Sequence, residues 1–154
     1  MGMGNFELID LNDFDISYYD YDHKNRQDDF LPLMKKLIER YKTLVFATPV
    51  YWYTMSAVMK TFFDRISDLL TIEKDLGRQL RGKNMVLISC SNEDDLPKGF
   101  SMPFEKSAEY LGMNWLGEMH GWVENGEINS KVNEKIEKFI ETLKNNYTPI
   151  GVKK

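Results

Sequence analysis

The stretch from Leu44 to Leu70, LVFATPVYWYTMSAVMKTFFDRISDLL, decides how the rest of the chain is read. It opens on four consecutive apolar residues, Leu44 to Ala47, a run that reads as a central strand covered on both faces. It closes on a helical segment, Ser56 to Leu70. There Met59, Phe62, Phe63, Ile66, Leu69 and Leu70 recur at helical spacing and form a buried stripe, while Lys60 and Asp64 pair outside at i, i+4. Between the two lies Thr48-Pro49-Val50-Tyr51-Trp52-Tyr53-Thr54-Met55. A buried strand feeding an amphipathic helix through a short loop is the building block of a parallel α/β sheet.

The alternation continues in both directions. Upstream, Phe6 to Leu11 (FELIDL) alternates apolar with polar and reads as a strand. A tyrosine-rich acidic loop follows. Asp28 or Asp29 then caps a helix that carries Pro32 in its first turn and Phe30, Met34, Leu37, Ile38 and Tyr41 on one face. Downstream, residues 71–83 are polar, with Gly77 and Gly82, and read as a connection. Met85 to Ser89 is a second buried strand. Ser101 to Leu111 is a helix with Pro103 early and Gly112 at its end. Trp115 to Met119 is the last strand, with Trp115 and Trp122 read as core. Asn129 to Leu143 is the last helix, with Val132, Ile136, Phe139, Ile140 and Leu143 on its apolar face. The order β-α-β-α-β-α-β-α predicts one domain over residues 1–154, a parallel sheet with helices on both faces. Ligands of such sheets bind outside the carboxyl ends of the strands, here the loops after Ala47, Ser89 and Met119.

Composition narrows the function classes. The 154 residues carry 20 basic and 24 acidic side chains, a net charge of −4, which argues against non-specific nucleic-acid binding. Residues 1–30 hold eight acids and two bases, so the acidity is concentrated in one segment, read as a solvated loop. That segment lacks the glycine and closing glutamate of a calcium loop. The single cysteine, Cys90, excludes a disulfide scaffold and suits a reducing cytoplasm. No apolar run approaches the ~20 residues of a membrane span, and no signal peptide is recognisable at the start. Asn146-Tyr147-Thr148 is a formal glycosylation sequon that carries no meaning without secretion. Cys90 reads as a buried structural thiol, and His23 and His120 as surface or satisfied polar groups. No Gly-rich dinucleotide fingerprint and no P-loop is present.

The loop after Ala47 is the informative one. Tyr51, Trp52 and Tyr53 are expected to stay at least partly exposed, because the flanking strand and helix already fill the core. Two readings stand: a platform on which a flat aromatic ligand stacks, or an aromatic wedge closing the core or a subunit contact.

These residues also resemble a family. Ala47 to Leu70 is similar to the flavodoxin-like NADPH-dependent FMN reductases and NAD(P)H quinone reductases, in which an apolar strand runs into [ST]-P-x-Y-[WN] and then a helix carrying K-x-F-x-D-R. Thr48-Pro49-Val50-Tyr51-Trp52 matches the loop, and Lys60, Phe62, Asp64 and Arg65 match the helix. Leu80-Arg81-Gly82-Lys83 continues the likeness into the next strand, and the element order agrees to the end of the chain. The resemblance implies a three-layer flavodoxin-like fold with sheet order 2-1-3-4-5. It also implies an oxidoreductase that binds FMN, takes hydride from NAD(P)H and passes electrons to a small-molecule acceptor such as a quinone or free flavin, without nucleic acid or membrane. Thr48, Pro49, Val50, Tyr51, Trp52 and Tyr53 would line one side of the ring, and Ser89, Cys90, Ser91 and Asn92 the other. The region of His120 approaches the flavin or a neighbouring subunit in the family, which keeps His120 as a site candidate; no side-chain catalyst and no metal is implied.

The chain departs from the family pattern twice. No strand with a Ser/Gly/Asn-rich phosphate loop precedes Phe6, so the fold is expected to be N-terminally truncated, to bind FMN weakly and to form a homo-oligomer. Glu93-Asp94-Asp95 stands where the family often has glycines. The alternative reading is a cofactor-free relative serving as a binding or assembly module, or a truncated inactive product.

Overall fold

The computed structural model describes residues 6–145; the sequon at Asn146 lies outside them. Three strands, β1 (Thr43–Pro49), β2 (Asn84–Ser91) and β3 (Asn114–Trp122), form one parallel sheet in the order β1-β2-β3. The helices are α1 (Phe30–Arg40), α2 (Ala57–Arg65), α3 (Asp68–Thr71), α4 (Lys74–Arg78), α5 (Met102–Leu111) and α6 (Ser130–Asn145). Leu44, Phe46 and Thr48 of β1 stand opposite Met85, Leu87 and Ser89 of β2, so these six share one face of the sheet. That face carries the main core, with Phe30, Leu33, Met34 and Ile38 of α1, Met59 and Phe62 of α2, and Phe104, Ala108 and Leu111 of α5. Phe46 meets Phe63 edge-on at 4.9 Å, and Phe63 meets Phe104 at 4.9 Å. Phe46 and Phe104 are buried, and burying such a ring contributes about 1.5–3 kcal/mol. On the other face α6 packs against β3.

Several expectations are corrected. Phe6 to Leu11 pairs with no strand among the described residues; it runs extended into a single 3-10 turn, Leu11–Asp13. Ile9 and Leu11 pack against the core while Phe6 and Leu8 are exposed, and Glu7 is tied to Lys36 of α1 and to Tyr41, the residue that caps its end. Alternation specifies which side chains point inward, but a strand must also reach a sheet edge, and this segment is instead held at α1 through Glu7. The sheet therefore has three described strands rather than four. β1 is covered on one face only: Val45 and Ala47, on the outer face, are exposed.

The segment predicted as one helix from Ser56 to Leu70 is broken after Arg65 and resumes as α3. Ser56 is the N-cap, its Oγ accepting the Met59 N–H at 3.3 Å. Leu70 is exposed and Phe63 only half-buried. The connection after α3 contains the short helix α4. At α1, Asp29 is the N-cap but its carboxylate accepts from the Asp15 N–H at 2.8 Å; Asp28 accepts the Phe30 N–H at 3.1 Å. Trp122 is buried, as read, whereas Trp115 is only partly covered.

At the break lies a buried polar cluster that periodicity does not reveal. Arg65 is 1% exposed. Its guanidinium donates to Asp28 on one side and to Asp68 at 2.9 Å on the other, and to the Ser17 carbonyl at 3.0 Å. It also lies 4.9 Å from the Phe30 ring centroid. His23 completes the knot through Nδ1 to Asp68 at 2.9 Å. The acidic segment is thus not wholly solvated, since Asp28 belongs to the interior. Burial alone pushes the Asp28 carboxyl up, but the hydrogen bonds from Arg65 and from the Ser17 and Phe30 amides outweigh it and hold the group below its ordinary value.

Candidate functional site

β1 leaves the sheet at Pro49 and the chain closes a tight loop before α2. Thr48, 3% exposed, ties its two ends: its hydroxyl accepts the Ser56 N–H at 3.0 Å and donates to the Pro49 carbonyl at 3.1 Å. Within the loop, Tyr51 and Thr54 exchange two backbone hydrogen bonds, N–H to carbonyl at 2.9 and 3.1 Å. Trp52 and Tyr53 between them both have positive φ, 47° and 67°. This is a type I′ turn, which ordinarily takes Asn and Gly. Holding L-residues left-handed costs roughly 1–2 kcal/mol each. The turn therefore carries strain at two bulky aromatic residues, and strain of this kind clusters at ligand-binding sites. Trp52 is 91% exposed, Tyr53 75% and Tyr51 60%. The expected exposure of all three is found.

The second loop lies alongside. Pro49 stands opposite Cys90, and the Val50 N–H donates to the Cys90 carbonyl at 2.8 Å. The Val50 amide is therefore engaged and does not face a ligand edge; the Trp52 and Tyr53 amides have no hydrogen-bond partner among the described residues. Cys90 is exposed, not buried as the sequence suggested, because it falls on the sheet face that leaves β1 bare. Ser89 is buried and bonded to His120, Ser91 is half-buried, and Asn92 is exposed. The structure thus brings the two predicted segments together at the carboxyl end of the sheet. Thr48, Ser89 and Val50 support the site from behind; Tyr51, Trp52, Tyr53, Cys90 and Asn92 offer surface.

The acids after Asn92 are organised rather than loose. Asp94 pairs with Lys135 of α6 at 2.8 Å, and the Lys135 Nζ sits 4.4 Å from the Trp122 ring centroid. Glu93 and Asp95 remain exposed. Sequence reasoning missed this anchoring and the Arg65 knot; the only signal available was an arginine inside an apolar helical stripe.

The residues present fit a flat aromatic ring: three exposed aromatic side chains and two free amides stand at the end of a stiff strand, beside a second loop. A phosphate finds no comparable cradle. The α2 N-terminus is occupied by its own cap, Ser56, and the described residues contain no Ser/Gly loop ahead of β1. Among the described residues no group of three or more His, Cys, Asp and Glu is arranged to hold a metal. No described helix is long and apolar enough to cross a membrane.

Comparison with known proteins bears on the family and the fold. A Bacillus subtilis (strain 168) protein, YwqN, provisionally named an NAD(P)H-dependent FMN-containing oxidoreductase, is 30% identical over 99 residues, 62% of this chain and 54% of its own length. The match thus spans about half of that relative. The Trp repressor binding protein from Bacillus subtilis superposes with a TM-score of 0.60 at 24% identity, covering 77% of this chain and 72% of that one. An NADPH-quinone reductase from P. pentosaceus superposes at 0.56 with 15% identity, covering 79% and 76%. Both place the fold among the flavodoxin-like α/β proteins. The model of the NADPH-dependent FMN reductase family matches residues 2–127, most of the sequence, and this chain belongs to that family.

Proposed function

We propose that this chain is a single flavodoxin-like domain acting as an FMN-dependent NAD(P)H oxidoreductase, with a quinone or free flavin as its small-molecule acceptor. One observation carries the reading: a strained turn presents Trp52 and Tyr53 at the carboxyl end of β1, directly beside the loop that follows Cys90. Bound there, FMN supplies the hydride chemistry. The chain's own part is to bind and orient. Tyr51, Trp52 and Tyr53 stack on one side of the ring, the Trp52 and Tyr53 amides offer donors to its polar edge, and Cys90 to Asn92 close the other side. Family membership favours this reading over a cofactor-free assembly module.

A homo-oligomer is part of the proposal. The outer edge of β1 has no partner among the described residues, and Val45 and Ala47 beside it are exposed, a surface that invites a second chain. Light scattering at low concentration tests this, and a monomer refutes it. A cytoplasmic setting suits the exposed free thiol of Cys90.

Titration of the full chain with FMN and with riboflavin, followed by tryptophan emission, tests the site. The two flavins are expected to bind within about threefold of each other and more weakly than micromolar. Each missing charged hydrogen bond to phosphate forfeits about 1.5–3 kcal/mol, and every 1.4 kcal/mol is about tenfold in affinity. With FMN saturating, the protein should accelerate NAD(P)H oxidation by a quinone. No flavin binding, with oxidation equal to that of flavin alone, sinks the proposal. Stoichiometric, sub-micromolar FMN in the purified protein keeps the function and refutes the weak-binding expectation.

A further inference from the structure

His120 lies on β3, away from both loops in sequence, yet its ring reaches one of them. β3 carries one residue more than β2 between their first pairs: Trp115 stands opposite Met85, but Glu118 opposite Leu87. The extra residue is accommodated at Gly117, whose φ of 117° is closed to ordinary side chains. The bulge changes which face the later residues use. Trp115 and His120 are an odd number of residues apart, yet they stand opposite Met85 and Ser89, which share a face. Without the bulge Met119 would stand opposite Ser89 and His120 would point to the α6 side.

Placed there, His120 is 8% exposed and fully engaged. Nδ1 meets the Ser89 hydroxyl at 2.9 Å. Nε2 lies 3.0 Å from the Glu93 carbonyl and 3.3 Å from the Ser91 hydroxyl. A carbonyl only accepts, so Nε2 carries a hydrogen and donates. Ser91 reinforces the same turn, its Oγ donating to the Glu93 carbonyl at 2.7 Å and accepting the Glu93 N–H at 3.1 Å. The loop from Ser91 to Glu93 is therefore fastened from beneath by a buried ring on a neighbouring strand.

We propose that His120 is the positioning residue of the candidate flavin site: aimed by the Gly117 bulge, its Nε2–H fixes the Glu93 carbonyl and so holds Cys90 to Asn92 against the aromatic turn. The role rests on reading the two loops as a flavin-ring site. It touches no ligand itself.

Two replacements separate this role from ordinary packing. In His120→Gln the longer side chain carries an amide N–H to about the place of Nε2 and can still donate to Glu93. In His120→Asn the amide reaches only to the place of Nδ1, so it can satisfy Ser89 but not the loop. Hydrogen exchange at the Glu93 to Asp95 amides and flavin dissociation constants are measured for the full parent chain and both variants, with thermal unfolding as the check on folding. Loss of one such hydrogen bond is expected to raise exchange and the FMN dissociation constant about fivefold to tenfold in the Asn variant. The Gln variant is expected to stay within about twofold of the parent, whatever either change does to thermal stability. Equal exchange in the two variants, or an Asn variant whose loop and affinity match the parent, overturns the role while leaving the site standing. A loosened loop with unchanged flavin affinity also overturns the role alone. A parent chain that binds neither FMN nor riboflavin overturns the site reading and the role with it.

Discussion

Two polar regions of this molecule, the Arg65 knot and the paired loops at the carboxyl end of the sheet, are built on opposite terms. Arg65, Asp28 and Asp68 are charged groups taken out of water and answered by one another, with every guanidinium nitrogen engaged. The carboxyl-end turn leaves its aromatic side chains in water and its backbone in a conformation that costs energy. The knot holds the acidic segment to α2 and α3, and breaking it harms the fold. The turn holds nothing in the free protein, and relieving it should help the fold while harming ligand binding. Side chains kept exposed under strain favour this region as the candidate ligand site.

The largest expected effect lies in the knot. Arg65→Met leaves Asp28 and Asp68 without their guanidinium counter-charge and should cost about 3–5 kcal/mol in urea unfolding, enough to threaten folding. Arg65→Lys should recover only part of this, because a point charge cannot serve Asp28, Asp68 and the Ser17 carbonyl at once. An Arg65→Met protein as stable as the parent would erase the contrast between the two regions.

The next effect is pH dependence, expected at the knot and not at the turn. The folded Asp28 carboxyl lies below its unfolded value, so its contribution to stability is complete above the unfolded value of about 4 and is lost as pH falls through the lower folded value. Asp28→Asn should flatten the acid limb of a stability–pH curve relative to the parent. An unchanged limb would mean that other carboxylates carry acid unfolding.

At the turn the sign should reverse. Trp52→Gly removes left-handed strain and should stabilise the free protein by about 1 kcal/mol. The same change should weaken flavin binding by about twofold to tenfold, the worth of one stacked ring. Chemical denaturation and flavin titration on one preparation read both. A destabilised variant would show that Trp52 packs in the free protein in a way its exposure does not suggest.

The smallest effect concerns Cys90. As an exposed thiol it should react readily with iodoacetamide, and a bound flavin ring should slow the reaction a few-fold. Labelling that ignores flavin would remove Cys90 from the ligand's edge.

What the sequence by itself determined were the features set by local periodicity and by chain order. Apolar runs and helical stripes located β1, β2, β3, α1, α2, α5 and α6, because burial on one side of an element imposes its period on the residues. Pro49 with three aromatics after a strand located the first loop of the site, and the register of parallel strands after two βα units brought Cys90 beside it. Tertiary structure alone decided the rest, and in each case the cause is a partner distant in sequence. Phe6 to Leu11 has the pattern of a strand but is tied to α1 through Glu7 and Lys36 rather than to the free edge of β1. Arg65, at the end of α2, lies inside because Asp28, 37 residues earlier, and Asp68 answer its charge there. Cys90 is exposed because nothing covers that face of β1. In the sequence His120 is a site candidate only through the family likeness, and an ordinary polar residue by its own pattern, because the shift that aims it, one extra residue at Gly117, is a property of how β3 pairs with β2 and leaves no mark on the periodicity of either strand.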